Sequence, residues 1–275
     1  MNWNGLTLPN NPYYQDDAVV IYHADCRDIL PLIPDKSIDL VLTSPPYNLE
    51  MEYERRLTEK EYLDFITMVL SNIYSCLASA GRVIWNVPNQ IRIARDGDLW
   101  SPSIKTALIM DGVGLRFFDM LQWNQRYSDS ATAWGSWLSP SAPFIRHQLE
   151  AILIYYKKVW KLQRPGESDL EPKQFMSLTK SELWDISPAD RNGHPAPYPE
   201  ELVWKCLKLF SYKDALILDP FLGSGTTAYC AKKLGRKCIG IEIEERYCEI
   251  ASKRCSQGVM DLSESKQTPV SLWEG

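Results

Sequence analysis

The chain has 275 residues, 45% of them hydrophobic and 24% charged, with a net charge of −5. That composition supports one large α/β domain with a full core and excludes wholesale disorder. The longest apolar runs, residues 38–42 and 151–156, are far too short to cross a bilayer, and no basic-then-apolar leader opens the chain. A cytoplasmic protein with no membrane partner is therefore expected.

Cys26, Cys76, Cys206, Cys230, Cys238, Cys248 and Cys255 lie scattered without CxxC spacing, which points to reduced thiols. None of His23, His147 and His194 sits at ligand spacing from a cysteine pair, so no metal is expected. Charge is unevenly spread. Residues 82–164 hold 11 Lys/Arg against 6 Asp/Glu, a local balance of +5 that leaves −10 on the remainder. A basic middle suits a nucleic-acid-facing segment, although chance scatter on a solvated surface produces the same count.

The β-branched run 19–22 predicts a strand that delivers Asp25 to a loop, and 26–32 a short helix closed by Pro34. Residues 37–43 predict a second strand running into Ser44-Pro45-Pro46-Tyr47. Thr58 and Glu61 form a capping-box pattern ahead of a helix over 62–77. Ala80-Gly81 is read as that helix's stop, with a strand over 82–87. This β–loop–α–β rhythm predicts a doubly wound, mostly parallel α/β sheet. Further on, 104–111 reads as a helix, and 119–124 and 151–157 as strands. Residues 163–182, polar and holding Pro165, Gly166 and Pro172, read as a loop or linker. Then follow a helix over 199–210, a strand over 215–218, a helix over 226–234, a strand over 237–243 and a helix over 246–256. Residues 257–275 read as a loosely held tail.

The strand over 215–218 leads into Asp219-Pro220-Phe221-Leu222-Gly223-Ser224-Gly225-Thr226-Thr227 and then a helix. Glycines at such a turn let backbone approach a ligand, and the helix N-terminus can receive a carboxylate. Glu242 ends the next strand 19 residues after Gly223, where doubly wound folds place an acid for ribose hydroxyls. The loop lacks both G-x-G-x-x-G and a P-loop lysine, which leaves a nucleoside without a pyrophosphate.

Together with Thr43-Ser44-Pro45-Pro46-Tyr47-Asn48, this loop resembles the β class of DNA amino-methyltransferases. There the proline loop precedes the glycine loop, as Tyr47 precedes Gly223 by 176 residues here. The resemblance, carried over residues 25–256 and weakest in the middle, implies a circularly permuted, Rossmann-like methyltransferase sheet of seven strands. It also implies one domain over 1–275 with a target-recognition insert at about 89–146, and S-adenosyl-L-methionine as cofactor. Asp219, Pro220, Phe221, Gly223, Ser224, Gly225, Thr226 and Thr227 match the loop around the methionine moiety, and Glu242 matches the ribose-binding acid. Asp25, with Cys26 beside it, matches the acid at the cofactor adenine, with a solvated loop acid as the alternative. His194 and Pro195 match the segment ahead of the cofactor helix, and Trp184-Asp185-Ile186 a recurrent feature upstream of it.

Prolines at 45 and 46 hold a carbonyl in a fixed direction, and the chemistry needs that. An exocyclic amine with its lone pair delocalised into the ring is a poor nucleophile until acceptors hold its N–H bonds. By resemblance, Ser44 Oγ and the Pro45 carbonyl are those acceptors, and Tyr47 stacks on a base flipped from double-stranded DNA. Ser at 44 resembles the cytosine-N4 group, with adenine-N6 as the alternative. The absence of a Pro-Cys pair argues against carbon-5 methylation. Arg126, Trp134, Trp137 and Arg146 are candidates for DNA contact, though the tryptophans equally suit packing, and 50–56 are candidates for a flap. A homodimer and a cognate restriction endonuclease are further partners the resemblance allows. An RNA methyltransferase and a catalytically silent DNA-binding subunit stand as rival readings.

Overall fold

The computed structural model describes residues 1–47, 57–92, 99–125, 138–143, 145, 148–188 and 199–257. A ribbon of Asn2–Trp3 against Leu6–Thr7 comes first and buries Trp3, whose indole donates to the Asp16 carbonyl at 2.7 Å. Then follow β1 (Tyr14–Gln15), β2 (Val19–His23), α1 (Cys26–Ile29), β3 (Ile38–Thr43), α2 (Glu59–Cys76) and β4 (Leu77–Pro88). A second ribbon, Ile91–Arg92 with Leu99–Trp100, precedes α3 (Pro102–Val113), β5 (Arg116–Asn124) and β6 (Leu149–Tyr156). The chain continues through α4 (Pro172–Thr179), β7 (Leu183–Asp185), α5 (Glu200–Phe210), β8 (Leu216–Asp219), α6 (Thr226–Lys233), β9 (Lys237–Glu242) and α7 (Glu245–Ser256).

These strands form one nine-stranded sheet in the order β7-β5-β6-β4-β3-β8-β9-β2-β1. All run the same way except β6 and β1, which are antiparallel to their neighbours. The short edge strands β1 and β7 extend the sheet beyond the seven strands expected. The central strands are apolar on both faces, as strands covered by helices on both sides must be. α1, α2 and α3 cover one face, packing Ile66, Val69 and Leu70 on Val41, Val83 and Trp85. α5, α6 and α7 cover the other, with Leu202, Ala228 and Cys248 against Leu40, Leu42 and Ile217. All seven cysteines are free and buried. No helix among the described residues is long and apolar enough to cross a membrane.

The helix starts follow the local chemistry. Thr58 and Glu61 form the capping box, the Thr58 amide donating to Glu61 Oε2 at 2.8 Å. Such a cap contributes about 1 kcal/mol. Two expectations are corrected. Ala80-Gly81 does not stop α2, which ends at Cys76, because β4 starts at Leu77 and includes that pair. There β4 is irregular: Leu77 pairs with Ile38, but the next pair is Arg82 with Leu40, so 78–81 bulge from the ladder. Residues 163–182 are not all loop either. Pro172, read as a breaker, opens α4 at a position whose N–H needs no helical partner, and Glu171 and Gln174 form a capping box.

β3 and β8 are neighbours whose chains leave in opposite directions, β3 through α2 to β4 and β8 through α6 to β9, over opposite faces. That is a topological switch point, where the carboxyl ends of strands open a crevice.

Candidate active site at the carboxyl edge of the sheet

β3 ends at Thr43 and β8 at Asp219, side by side at the switch point. Thr43 Oγ1 donates to Asp219 Oδ1 at 2.6 Å, and both side chains are buried. This bond joins the two segments read from the sequence, since Ser44 follows one residue and Pro220 the other. The Phe221 amide donates to the same carboxylate oxygen at 3.1 Å, starting the turn of the glycine loop. Thr227 is close enough to steady the carboxylate, but its buried hydroxyl makes no well-aligned hydrogen bond.

The glycine loop lies flat on the neighbouring strand. The Leu222 amide donates to the Ile241 carbonyl at 2.9 Å, and the Gly223 amide to Glu242 Oε2 at 2.7 Å. Leu222 can settle there because β9 offers Gly240, where a Cβ would stand 2.5 Å from Leu222 Cδ2. Gly225 closes the loop at φ 85°, and a Cβ there would meet Ala251 of α7 at 2.6 Å. Only glycine satisfies both demands. Gly225 is the N-cap of α6 and leaves the first turn of that helix without a side-chain cap. From α7, Arg254 donates to the Ser224 carbonyl at 3.3 Å, to Thr226 Oγ1 at 3.0 Å and to Glu200 at 2.6 Å, pinning the loop from outside.

β2 brings the third segment to this edge. Asp25 caps α1 through the Arg27 amide at 2.9 Å and pairs with the Arg27 guanidinium at 2.5 Å. Cys26 is buried, its thiol pushed up to about 12 by the loss of solvent. Phe221 joins the two sides of the crevice, its ring centroid 5.9 Å from Phe65 and 6.0 Å from Trp85.

The proline loop faces a polar cluster that sequence reasoning missed. Ser44 Oγ lies 2.8 Å from the Tyr47 hydroxyl, which donates to Glu150 Oε2 at 3.1 Å. Asn86 Nδ2 donates to Tyr47 at 3.1 Å and to Glu150 Oε2 at 2.5 Å, while Gln125 Nε2 donates to Glu150 Oε1. The Tyr62 hydroxyl donates to the Pro46 carbonyl at 3.0 Å and steadies the loop from α2. Asn86 stands near the end of β4 and Gln125 just past β5. Glu150 reaches the same edge because β6 runs antiparallel and starts there.

The DNA methylase family (N6_N4_Mtase) matches residues 38–253. The chain belongs to the DNA methylase family. Type II methyltransferase M.ScaI of Streptomyces caespitosus is 30% identical over 91% of this chain and 86% of its own. Type II methyltransferase M.MjaVI of Methanocaldococcus jannaschii is 32% identical over 66% of this chain and 85% of its own. Among solved structures, TTHA0409 of Thermus thermophilus complexed with S-adenosyl-L-methionine is 25% identical, with TM-score 0.69 over 86% of this chain and 92% of that one. The PvuII DNA methyltransferase (cytosine-N4-specific) shares the fold at 21% identity, with TM-score 0.73 over 90% of each chain.

The acids of this DNA methylase sit in contrasting environments. Burial raises Asp219 to about 6, against the bonds from Thr43 and Phe221. Burial also raises Glu242 and Glu150 from the ordinary glutamate value. Asp25 is held low by its bond to Arg27. Tyr47 is pushed well above the usual phenol value by burial and by the Glu150 charge.

The structure thus brings Ser44, Pro45, Pro46, Tyr47, Asp25, Cys26, Glu242 and the segment Asp219–Thr227 of this methylase to one edge of the sheet. His194, Pro195, Arg126, Trp134, Trp137, Arg146, the flap candidates 50–56 and all of the tail except Gln257 lie outside the described residues. Within 89–146, α3 packs beside α2 and β5 is a strand of the main sheet. Trp184 is buried on β7, and the Trp123 indole donates to the Ile186 carbonyl at 2.8 Å.

Proposed function

We propose that the protein transfers the methyl group of S-adenosyl-L-methionine to the N4 amino group of a cytosine flipped out of duplex DNA. The observation that carries this reading is the Thr43–Asp219 bond, which sets the proline loop and the glycine loop at adjacent strand ends.

The residues present fit the cofactor. The uncapped first turn of α6 suits its carboxylate, Glu242 its ribose hydroxyls, and Asp25 its adenine amino group. Bound there, it would supply an electrophilic methyl group on a sulfonium. The rest falls to the chain's own groups. Ser44 Oγ and the Pro45 carbonyl would hold the two N–H bonds of the base amine, turning its lone pair toward the methyl. Tyr47 would stack on the base, and catalysis comes from positioning more than from covalent chemistry.

The choice of cytosine rests on Ser44 and its resemblance to the cytosine-N4 group. Target recognition is assigned to the insert at about 89–146 within a single methyltransferase domain, with Arg126, Trp134, Trp137 and Arg146 as contact candidates. A cognate endonuclease reading the same site is a natural partner, since the relatives named above are Type II methyltransferases.

Methylating duplex DNA with the purified protein and digesting it to nucleosides tests the reading. N4-methylcytosine is the expected product, and N6-methyladenine alone would move the target base to adenine. Preferential labelling of structured RNA in direct competition would overturn the DNA assignment.

A further inference from the structure

Methylation of an exocyclic amine leaves one proton to be removed. As the nitrogen lone pair forms its bond to the methyl carbon, the carbon–sulfur bond breaks with its electrons going to sulfur. The nitrogen is then cationic and carries two hydrogens, one of which must leave.

With Glu150 ionised, as a group that is to accept a proton must be, the hydrogen-bond directions around Tyr47 are set by counting. A phenol has one hydrogen, and Tyr47 gives it to Glu150 Oε2 at 3.1 Å. At 2.8 Å from the same hydroxyl, Ser44 must therefore be the donor, and Asn86 Nδ2 donates to the phenol oxygen as well. Ser44 is left with acceptor lone pairs only. Each hydrogen in the series Ser44, Tyr47, Glu150 thus points away from the crevice and toward the carboxylate. Glu150 needs no partner cation to be held there: Asn86 and Gln125 occupy its oxygens. No Lys or Arg among the described residues forms an ion pair with it. From β6 it faces neutral Asn86 of β4, neutral Gln125 beyond β5, and the titratable phenol of Tyr47.

We propose that Glu150 is the proton acceptor for the methylated amine, reached from Ser44 through the Tyr47 hydroxyl. The amine proton passes to Ser44 Oγ, the Ser44 proton to the Tyr47 oxygen, and the Tyr47 proton to Glu150 Oε2. One carboxylate is neutralised and one proton leaves the base. Burial already raises the affinity of Glu150 for a proton, which suits it to this task. Glu150 acts through Tyr47 and is a positioning residue, not one that touches substrate. The inference rests on the reading of Ser44 as the group at the target amine.

The test is single-turnover methylation of duplex DNA across mildly acidic to mildly alkaline pH, at saturating donor and DNA. The wild-type rate should fall as pH drops through the titration of Glu150. Glu150→Gln should slow the step about tenfold or more and remove that acid limb, with donor affinity and the KM for DNA unchanged. Gln125→Leu, which removes a bond favouring the ionised carboxylate, should move the limb to higher pH. A purely structural carboxylate would not do this, and Gln125→Leu carries the test by itself should Glu150→Gln lose donor binding. A Glu150→Gln protein with the wild-type rate and limb overturns the inference, as does an unmoved limb in Gln125→Leu. If Ser44→Ala abolishes transfer while Glu150→Gln leaves it intact, only this inference falls. If the wild type methylates no DNA, the reading beneath it falls too.

Discussion

The amide of Gly223 donates to Glu242 Oε2 at 2.7 Å, and the Glu244 amide to Glu242 Oε1 at 2.9 Å. The acid assigned to the ribose thus also shapes the loop assigned to the methionine end of the same ligand. Each carboxylate oxygen keeps a second lone pair for a hydroxyl. Glu242→Gln replaces one oxygen with an amide NH₂ that must confront a backbone N–H. Losing a bond to a charged group costs about 1.5–3 kcal/mol. Calorimetry should therefore show S-adenosyl-L-methionine binding weakened by about tenfold or more. Unchanged affinity would remove Glu242 from the site.

Asp219 should trade stability for function. Its folded value of about 6 lies above the reference 3.8, so the folded state favours the proton. Stability from this group is therefore full below about pH 4 and declines as pH rises through 6. The cost at neutral pH is on the order of 3 kcal/mol. Asp219→Asn keeps an acceptor for Thr43 and Phe221 without the charge. The ligand-free variant should melt at or above the wild-type temperature at neutral pH, and the gap should close toward pH 4. Donor binding should weaken throughout. A gap that widens on acidification would contradict the raised value.

Tyr47→Ala removes both the stacking ring and the hydroxyl. Base–aromatic stacking is worth about 1–3 kcal/mol, so turnover should drop about tenfold to a hundredfold while donor binding survives. Tyr47→Phe keeps the ring and breaks only the path to Glu150. Stopped-flow fluorescence with 2-aminopurine at the target should report normal base flipping in the Phe variant and impaired flipping in the Ala variant. Equal flipping in both would count against stacking.

Gly240→Ala sets a methyl group 2.5 Å from Leu222 Cδ2, in a packed interior where overfilling costs about 1–3 kcal/mol. Urea unfolding should show that loss, and donor binding should weaken as the loop lifts from β9. Leu222→Ala in the same chain should restore part of the stability, a coupling that a double-mutant cycle measures. Strictly additive effects would mean the two residues do not touch.

Much of the sheet is written locally. The runs of β3, β8 and β9 are apolar on both faces, and α2 carries its cap in Thr58 and Glu61, so position and type follow from neighbours in the chain. α4 was hidden because Pro172 signals a break and a helix start equally well, and only Glu171 with Gln174 favoured the second. The cluster around Tyr47 was hidden for another reason. Asn86, Gln125 and Glu150 are single polar residues on or beside apolar strands, spread over 64 positions, and nothing beside any of them marks it. Only the antiparallel run of β6 turns Glu150 toward Ser44, and that direction is a property of the sheet.

The order of β3 and β8 in the chain also governs when the two loops can meet. A nascent polypeptide emerging from the ribosome exposes the proline loop early, yet its only neighbour across the switch point is translated 176 positions later. Until that late strand slots in beside β3, the proline loop lacks the glycine loop that Asp219 opens beside it. A chain truncated before Asp219 would therefore carry the proline loop and lack the strand end that faces it.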